Sequence, residues 1–177
     1  GLLAVYSLSK QSNMAGYRAA FVAGDPALVG RLLEIRKHAG MIVPWPVQQA
    51  MLAALTDDAH VGQQKARYGR RRAVLKSALE DAGYRVDHSE AGLYLWTTRA
   101  VSAATGARET RETRETRETD GTDGTGSLVS EMADLGILVA PGTFYGAAGG
   151  HHVRVALTAT DDRINAAASR LTRLTHR

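Results

Sequence analysis

Apolar and polar residues alternate along this chain at spacings that predict strands and helices in turn. Leu2 to Ser7 is an apolar run with no polar lead-in, which predicts a buried strand, followed by a polar, glycine-containing turn through Gly16. Ala19 to Val22 predicts a second short strand. Gly24-Asp25-Pro26 marks a turn and a helix start. An N-cap Asp accepts from otherwise orphaned N–H groups, and a proline in the first turn has no N–H to leave unpaired. The helix carries Leu28, Leu32, Leu33 and Ile35 on one face and stops near Gly40. Pro44 and Pro46 break the chain around Trp45, and a second helix follows from about Val47 to Leu55. Asp57-Asp58 caps a longer charged helix from about Ala59 to Ala82, ended by Gly83. Tyr84 to Val86 and Leu93 to Trp96 alternate as strands do.

Residues 101–126 differ in kind. Arg108-Glu109-Thr110 is followed by three more Arg-Glu-Thr triplets, then by Asp120-Gly121-Thr122-Asp123-Gly124-Thr125-Gly126. A period of three matches neither helix nor strand. No apolar anchor offsets the entropy of ordering, so a disordered surface insertion is expected. Beyond it, Leu128 to Leu135 predicts a helix, Ile137 to Ala140 a strand, and Pro141 to Gly150 a loop with four glycines. Val153 to Leu157 predicts a strand and Asp161 to Leu174 an amphipathic helix. The alternation places the chain in the α/β or α+β class.

Composition narrows this only slightly. The 177 residues suffice for a real core. The chain has no cysteine, which excludes disulfides, thiolate nucleophiles and cysteine-ligated zinc. No apolar run approaches the roughly 20 residues of a membrane span, and the N-terminus lacks the layout of a secretory signal. Hence neither a membrane partner nor export is expected, and the cytoplasm is the default location. A chain that opens inside a core strand without an initiator methionine is expected to have lost what preceded it. The net charge of +4 is small, and its arginines are spread along the sequence, which argues against a nucleic-acid partner.

Chemistry gathers in two segments. The first is Ser7-Leu8-Ser9-Lys10 followed by Gly16-Tyr17-Arg18. A lysine at the end of a buried strand is costly unless it is used. Two hydroxyls beside it and an arginine eight residues on suggest an anion pocket, because a guanidinium fork matches phosphate. Gly16 is expected to turn the backbone so that Arg18 faces the same anion. A lysine amine also condenses with aldehydes when its surroundings deprotonate it. The second segment is Gly142-Thr143-Phe144-Tyr145-Gly146 with His152-Val153-Arg154-Val155-Ala156. An arginine amid apolar strand residues should be paired, and Phe144 is expected to serve as plain packing, with lining the pocket as the alternative. Arg70-Arg71-Arg72 reads as a solvated helix face, His38 as a cap or surface residue, and His151-His152 as lacking the third ligand of a metal site.

The lysine segment closely resembles that of fold-type I, class I/II aminotransferases. The resemblance implies an α/β fold, the C-terminal part of a fold-type I pyridoxal-phosphate-dependent transferase. It implies that Lys10 carries pyridoxal 5'-phosphate and moves the proton. Ser7, Ser9 and Arg18 would hold the phosphate, and Arg154 would grip the substrate carboxylate. Residues 1–57 would finish the cofactor-binding large domain. Residues 58–177 would form a bridging helix and a small α+β domain interrupted by the low-complexity insertion. Glu90 to Trp96 resembles a small-domain strand of these enzymes, but its glycine is displaced by one position.

Leu8-Ser9-Lys10-Gln11-Ser12-Asn13, Arg36 to Met41 and Leu138 to Gly142 look most like succinyldiaminopimelate aminotransferase. That enzyme exchanges an amino group between glutamate and a succinylated keto acid in lysine and diaminopimelate synthesis. Intact members of the family are dimers about twice this length. Their N-terminal half supplies a carboxylate to the pyridine nitrogen and a ring against the cofactor. This chain alone is therefore expected to have little or no transaminase activity. The alternatives are a non-catalytic remnant or pyridoxal-phosphate-sensing module, another class I/II aminotransferase with a different substrate, and a small basic nucleic-acid binder.

Overall fold

A computed structural model describes residues 1–99 and 124–174, so residues 101–123 of the expected insertion lie outside the described residues. The chain divides into two compact units, Gly1–Ala66 and Arg67–Arg177.

In the first unit, β1 (Leu3–Ser7) pairs antiparallel with β2 (Ala20–Gly24), with Val5 opposite Val22. The expected buried strand is corrected here. All five β1 residues are exposed, Val5 at 72%. A two-stranded ribbon cannot enclose its own faces, and apolar character alone does not supply the layer that would cover them. The expected turn after it is also corrected, to a short helix α1 (Leu8–Gln11) and a 3-10 turn (Ala15–Tyr17).

Helix α2 (Pro26–His38) starts as expected. The Asp25 carboxylate accepts from the N–H groups of Ala27 and Leu28 at 2.9 and 3.2 Å. Its apolar face is only partly covered, however: Leu28 and Leu32 are half-buried, while Leu33 and Ile35 stand exposed. Helix α3 (Trp45–Leu55) begins two residues earlier than the prolines suggested. The Pro44 carbonyl accepts from Val47 and Gln48, and Pro46 sits in the first turn where no N–H is needed. Leu8, Met14, Ala19 and Met51 form the small core of this unit. Helix α4 (Ala59–Asp81) is capped by Asp57, whose carboxylate accepts from Ala59 N–H at 2.8 Å.

The second unit holds an antiparallel sheet in the order β3-β4-β6-β5: β3 (Tyr84–Asp87), β4 (Tyr94–Arg99), β5 (Ala140–Pro141) and β6 (His152–Ala156). Helix α5 (Gly124–Asp134) starts four residues earlier than expected, taking in Gly124 to Gly126, and α6 (Asp161–Leu171) ends in a 3-10 turn. The strand expected over Ile137 to Ala140 shrinks to Ala140–Pro141, and the glycine loop folds into two 3-10 turns, Gly142–Tyr145 and Ala147–Gly149.

One face of the sheet is the core. Leu95, Val153 and Val155 meet Leu75 and Leu79 of α4, Leu128 and Met132 of α5, and Ile164 and Leu171 of α6. Side chains alternate along a strand, so Tyr94, Trp96, His152 and Arg154 stand on the opposite face.

The arginine run is a solvated face only at Arg70, which is exposed; Arg71 and Arg72 are half-buried and bonded. Arg71 pairs with Asp161 and donates to the Leu157 carbonyl at 3.1 Å. Arg72 donates to Ser89 Oγ at 2.8 Å and to the Gly92 carbonyl. The two neighbouring arginines thus tie α4 to two different loops.

Candidate active-site residues in the two units

Lys10 is exposed in the last turn of α1, rather than at a strand end, and no described side chain pairs with its ammonium. Ser7 is the N-cap of that helix. Its Oγ accepts from Ser9 N–H at 3.2 Å and donates to Ser9 Oγ at 2.8 Å. The capping hydroxyl therefore holds both serines on the turn that carries Lys10.

The reversal that follows is not made by Gly16. Asn13 and Arg18 take the left-handed conformation, with φ of 54° and 53°. Asn tolerates that region well, whereas for Arg it is strained. Arg18 donates from Nη1 to the Ala15 carbonyl at 3.2 Å, closing its own turn. It also lines a largely apolar groove of about 640 Å³ with Phe21, Val22, Leu33, Met51 and Leu52. No hydrogen bond joins its guanidinium to Ser7 or Ser9 among the described residues. Nearby, His60 links Ser12 Oγ, at 3.0 Å from Nε2, to the Asp57 carboxylate, at 3.2 Å from Nδ1. This ties the end of the lysine turn to the start of α4.

The chemistry of this segment fits pyridoxal phosphate. Two adjacent hydroxyls and a guanidinium can donate to a phosphate, and an unengaged amine can meet an aldehyde.

Arg154 lies in the second unit, half-buried on the strand face opposite the core. Its guanidinium carbon sits 4.1 Å from the Tyr94 ring centroid and 5.1 Å from that of Tyr145. Both distances are within cation–π range. Its Nε is buried with no hydrogen-bond partner among the described residues. A buried guanidinium N–H without an acceptor is held at a cost, which the two ring faces offset in part.

Neighbouring side chains continue the array. Trp96 lies opposite Arg154 in the strand register. Its ring meets Tyr145 edge-on at 5.7 Å and stacks on His152 at 5.0 Å with planes 7° apart. His152 Nε2 lies 3.0 Å from Asp87 Oδ2. The Arg85 guanidinium and then the His152 ring hold the Asp87 carboxyl down at about 2. The expectation that Phe144 packs is corrected, since it is 76% exposed.

Sequence reading missed Tyr94 and Tyr145, whose rings meet Arg154, and Trp96 and His152, which continue the array. The available signal was spacing: Tyr94-x-Trp96 and His152-x-Arg154 each place two functional side chains on one strand face. Among the described residues no cluster of His, Asp and Glu could hold a metal, and no helix is long and apolar enough to cross a membrane.

The family model for aminotransferase class I and II matches residues 1–171. The 4-dedimethylamino-4-oxo-anhydrotetracycline transaminase OxyQ of Streptomyces rimosus is 58% identical over 172 residues, covering 97% of this chain and 42% of that protein. The probable aminotransferase Rv1178 of Mycobacterium tuberculosis is 55% identical, with coverage of 97% and 36%. A solved aminotransferase from Staphylococcus aureus superposes with a TM-score of 0.73 at 26% identity, covering 98% of this chain and 42% of that one. The chain thus spans about two fifths of the length of these relatives, whose family uses pyridoxal 5'-phosphate. Over nearly its whole length this chain belongs to the class I and II aminotransferases.

Proposed function

We propose that this chain contributes the lysine-bearing segment and the carboxylate arginine of a pyridoxal-phosphate-dependent transaminase that acts on amino and keto acids. The observation that carries this reading is the Lys10 ammonium, unpaired on a turn whose two serine hydroxyls are already gathered by the Ser7 cap. The cofactor, when bound, supplies the electron sink that amino-group transfer requires. Lys10 would hold it through its aldehyde and carry the proton to and from the substrate α-carbon. Ser7, Ser9 and Arg18 would donate to its phosphate. Arg154, held against two tyrosine rings, would take the substrate α-carboxylate. The intact enzyme would work as a homodimer, as its family does.

Two substrate readings follow. The motifs at Leu8–Asn13, Arg36–Met41 and Leu138–Gly142 favour a succinylated amino or keto acid of diaminopimelate synthesis, exchanged against glutamate. The 58% identity to a transaminase named for an anhydrotetracycline ketone favours a polycyclic ketone instead. The aromatic faces of Tyr94 and Tyr145 beside Arg154 suit that second reading.

The test is an absorbance titration of the purified chain with pyridoxal phosphate. We expect a saturable visible band in the wild type and none in Lys10→Ala. An equal band in both proteins would refute the role of Lys10. Competition by succinylated glutamate against a planar aromatic acid, followed at Arg154, separates the two substrate classes.

A further inference from the structure

The pair His152–Asp87 is absorbed neither by the core nor by the proposed chemistry, yet a continuous set of contacts joins it to Arg154. Asp87, Trp96, Arg154 and Ala140 stand opposite one another across the four strands, all on the face away from the core. His152 occupies the same face two residues before Arg154, and its ring covers Trp96 in near-parallel stacking. Trp96 in turn abuts Tyr145, and Tyr145 is one of the two rings that hold the guanidinium.

An imidazole on a strand can turn about its side-chain bonds, so stacking alone does not fix it. The hydrogen bond to Asp87 does. With the carboxylate accepting from Nε2–H, the ring is locked in one tautomer and one orientation. Asp87 is itself paired with Arg85, at 2.7 Å through Nε and 3.1 Å through Nη2. The start of β6 is also braced beside His152, because Thr98 donates to the His151 carbonyl at 2.6 Å. The charged and titratable groups on this face of the sheet are Asp87 and Arg85 from β3, Tyr94 from β4, Arg154 from its own strand and Tyr145 from the glycine loop. Among the described residues only Asp87 bonds to its ring.

We propose that His152 and Asp87 are positioning residues: through Trp96 and Tyr145 they hold the Arg154 guanidinium in the place where it meets a carboxylate. This rests on the reading of Arg154 as the carboxylate-binding arginine. It adds that the affinity of that arginine is set two residues away by a histidine–aspartate bond.

The experiment is nuclear magnetic resonance on the full ¹⁵N-labelled chain, following the Arg154 Nε–H, which two tyrosine rings should displace by their ring currents. We expect His152→Phe, which keeps a ring but loses the bond, and Asp87→Ala to move that signal toward the ordinary arginine position. Backbone amides of the core strands should stay in place. The double variant should move it no further than either single one. Asp87→Asn, which still offers an acceptor, should restore most of the wild-type shift. In parallel, L-glutamate titrated into each protein should bind about threefold to tenfold more weakly to the two disruptive variants. An unmoved Nε–H in both single variants, or effects that simply add, would overturn the proposal. If glutamate fails to perturb Arg154 even in the wild type, the carboxylate reading falls, while the ring-current shifts still decide whether His152 and Asp87 position the side chain.

Discussion

The two units of this chain treat their apolar residues differently. In the second unit, three helices close over one sheet face, and Leu75, Leu79, Leu95, Met132, Val153, Leu157 and Leu171 lose essentially all contact with solvent. In the first, only Leu8, Met14, Ala19 and Met51 are buried, while Leu2, Val5, Leu33, Ile35, Ile42, Trp45 and Leu52 remain exposed. The amino-acid types are similar; what differs is whether a second layer lies over them. Apolar character specifies that a residue seeks burial, but the layer opposite decides whether burial occurs. The same contrast holds for the two groups proposed to carry chemistry. Arg154 is held by rings on a sheet backed by a full core, and Lys10 by a capped turn beside an exposed ribbon.

Truncation should separate the units most sharply. Leu95→Ala empties a fully buried position and should destabilise the second unit by about 2–5 kcal/mol. Chemical denaturation followed by amide exchange of β4 and β6 reads this directly.

Gly142→Ala should have the next largest effect, about 1–3 kcal/mol. A Cβ there would lie 2.2 Å from the Gly149 carbonyl oxygen and 2.4 Å from that of His152. Because the contacts are backbone, the loop bearing Tyr145 must shift, and the cation–π contact to Arg154 should loosen with it. The Arg154 Nε–H shift and a thermal melt together check both parts.

Acid should act on the Asp87 end of the array. The carboxyl is held below its ordinary 3.8, at about 2, so the stability it contributes is present above 3.8 and lost as pH falls through about 2. Asp87→Asn should therefore flatten the loss of stability over that window, as denaturant midpoints at its two ends would reveal. The smallest effect is expected at Leu33→Ala in the first unit. At that exposed position the change should stay within about 0.5 kcal/mol, and a shift comparable to Leu95→Ala would mean that α2 is covered after all.

Local signals carried the parts of the fold that are locally determined. Asp25-Pro26 marked the start of α2 because capping needs only neighbouring residues, and Asp57 marked α4 for the same reason. Helix α1 was illegible, since Leu8-Ser9-Lys10-Gln11 is too short to display a helical period. The exposure of β1 was illegible because a single strand does not say what faces it. Arg154 was legible as a charge out of place among Val153 and Val155. Its partner Tyr94 was not, because it lies sixty positions earlier in the chain and the β4–β6 register brings the two together. Arg71 and Arg72 read as a surface run for a related reason: the acceptors that bury them sit on distant loops.

The most direct test of the central claim is reductive trapping of pyridoxal phosphate on the chain, followed by mass mapping of its four lysines, Lys10, Lys37, Lys65 and Lys76. The account predicts modification concentrated at Lys10, with the other three labelled only at background. Equal labelling of all four, or label on Lys37, Lys65 or Lys76 in preference to Lys10, would contradict it.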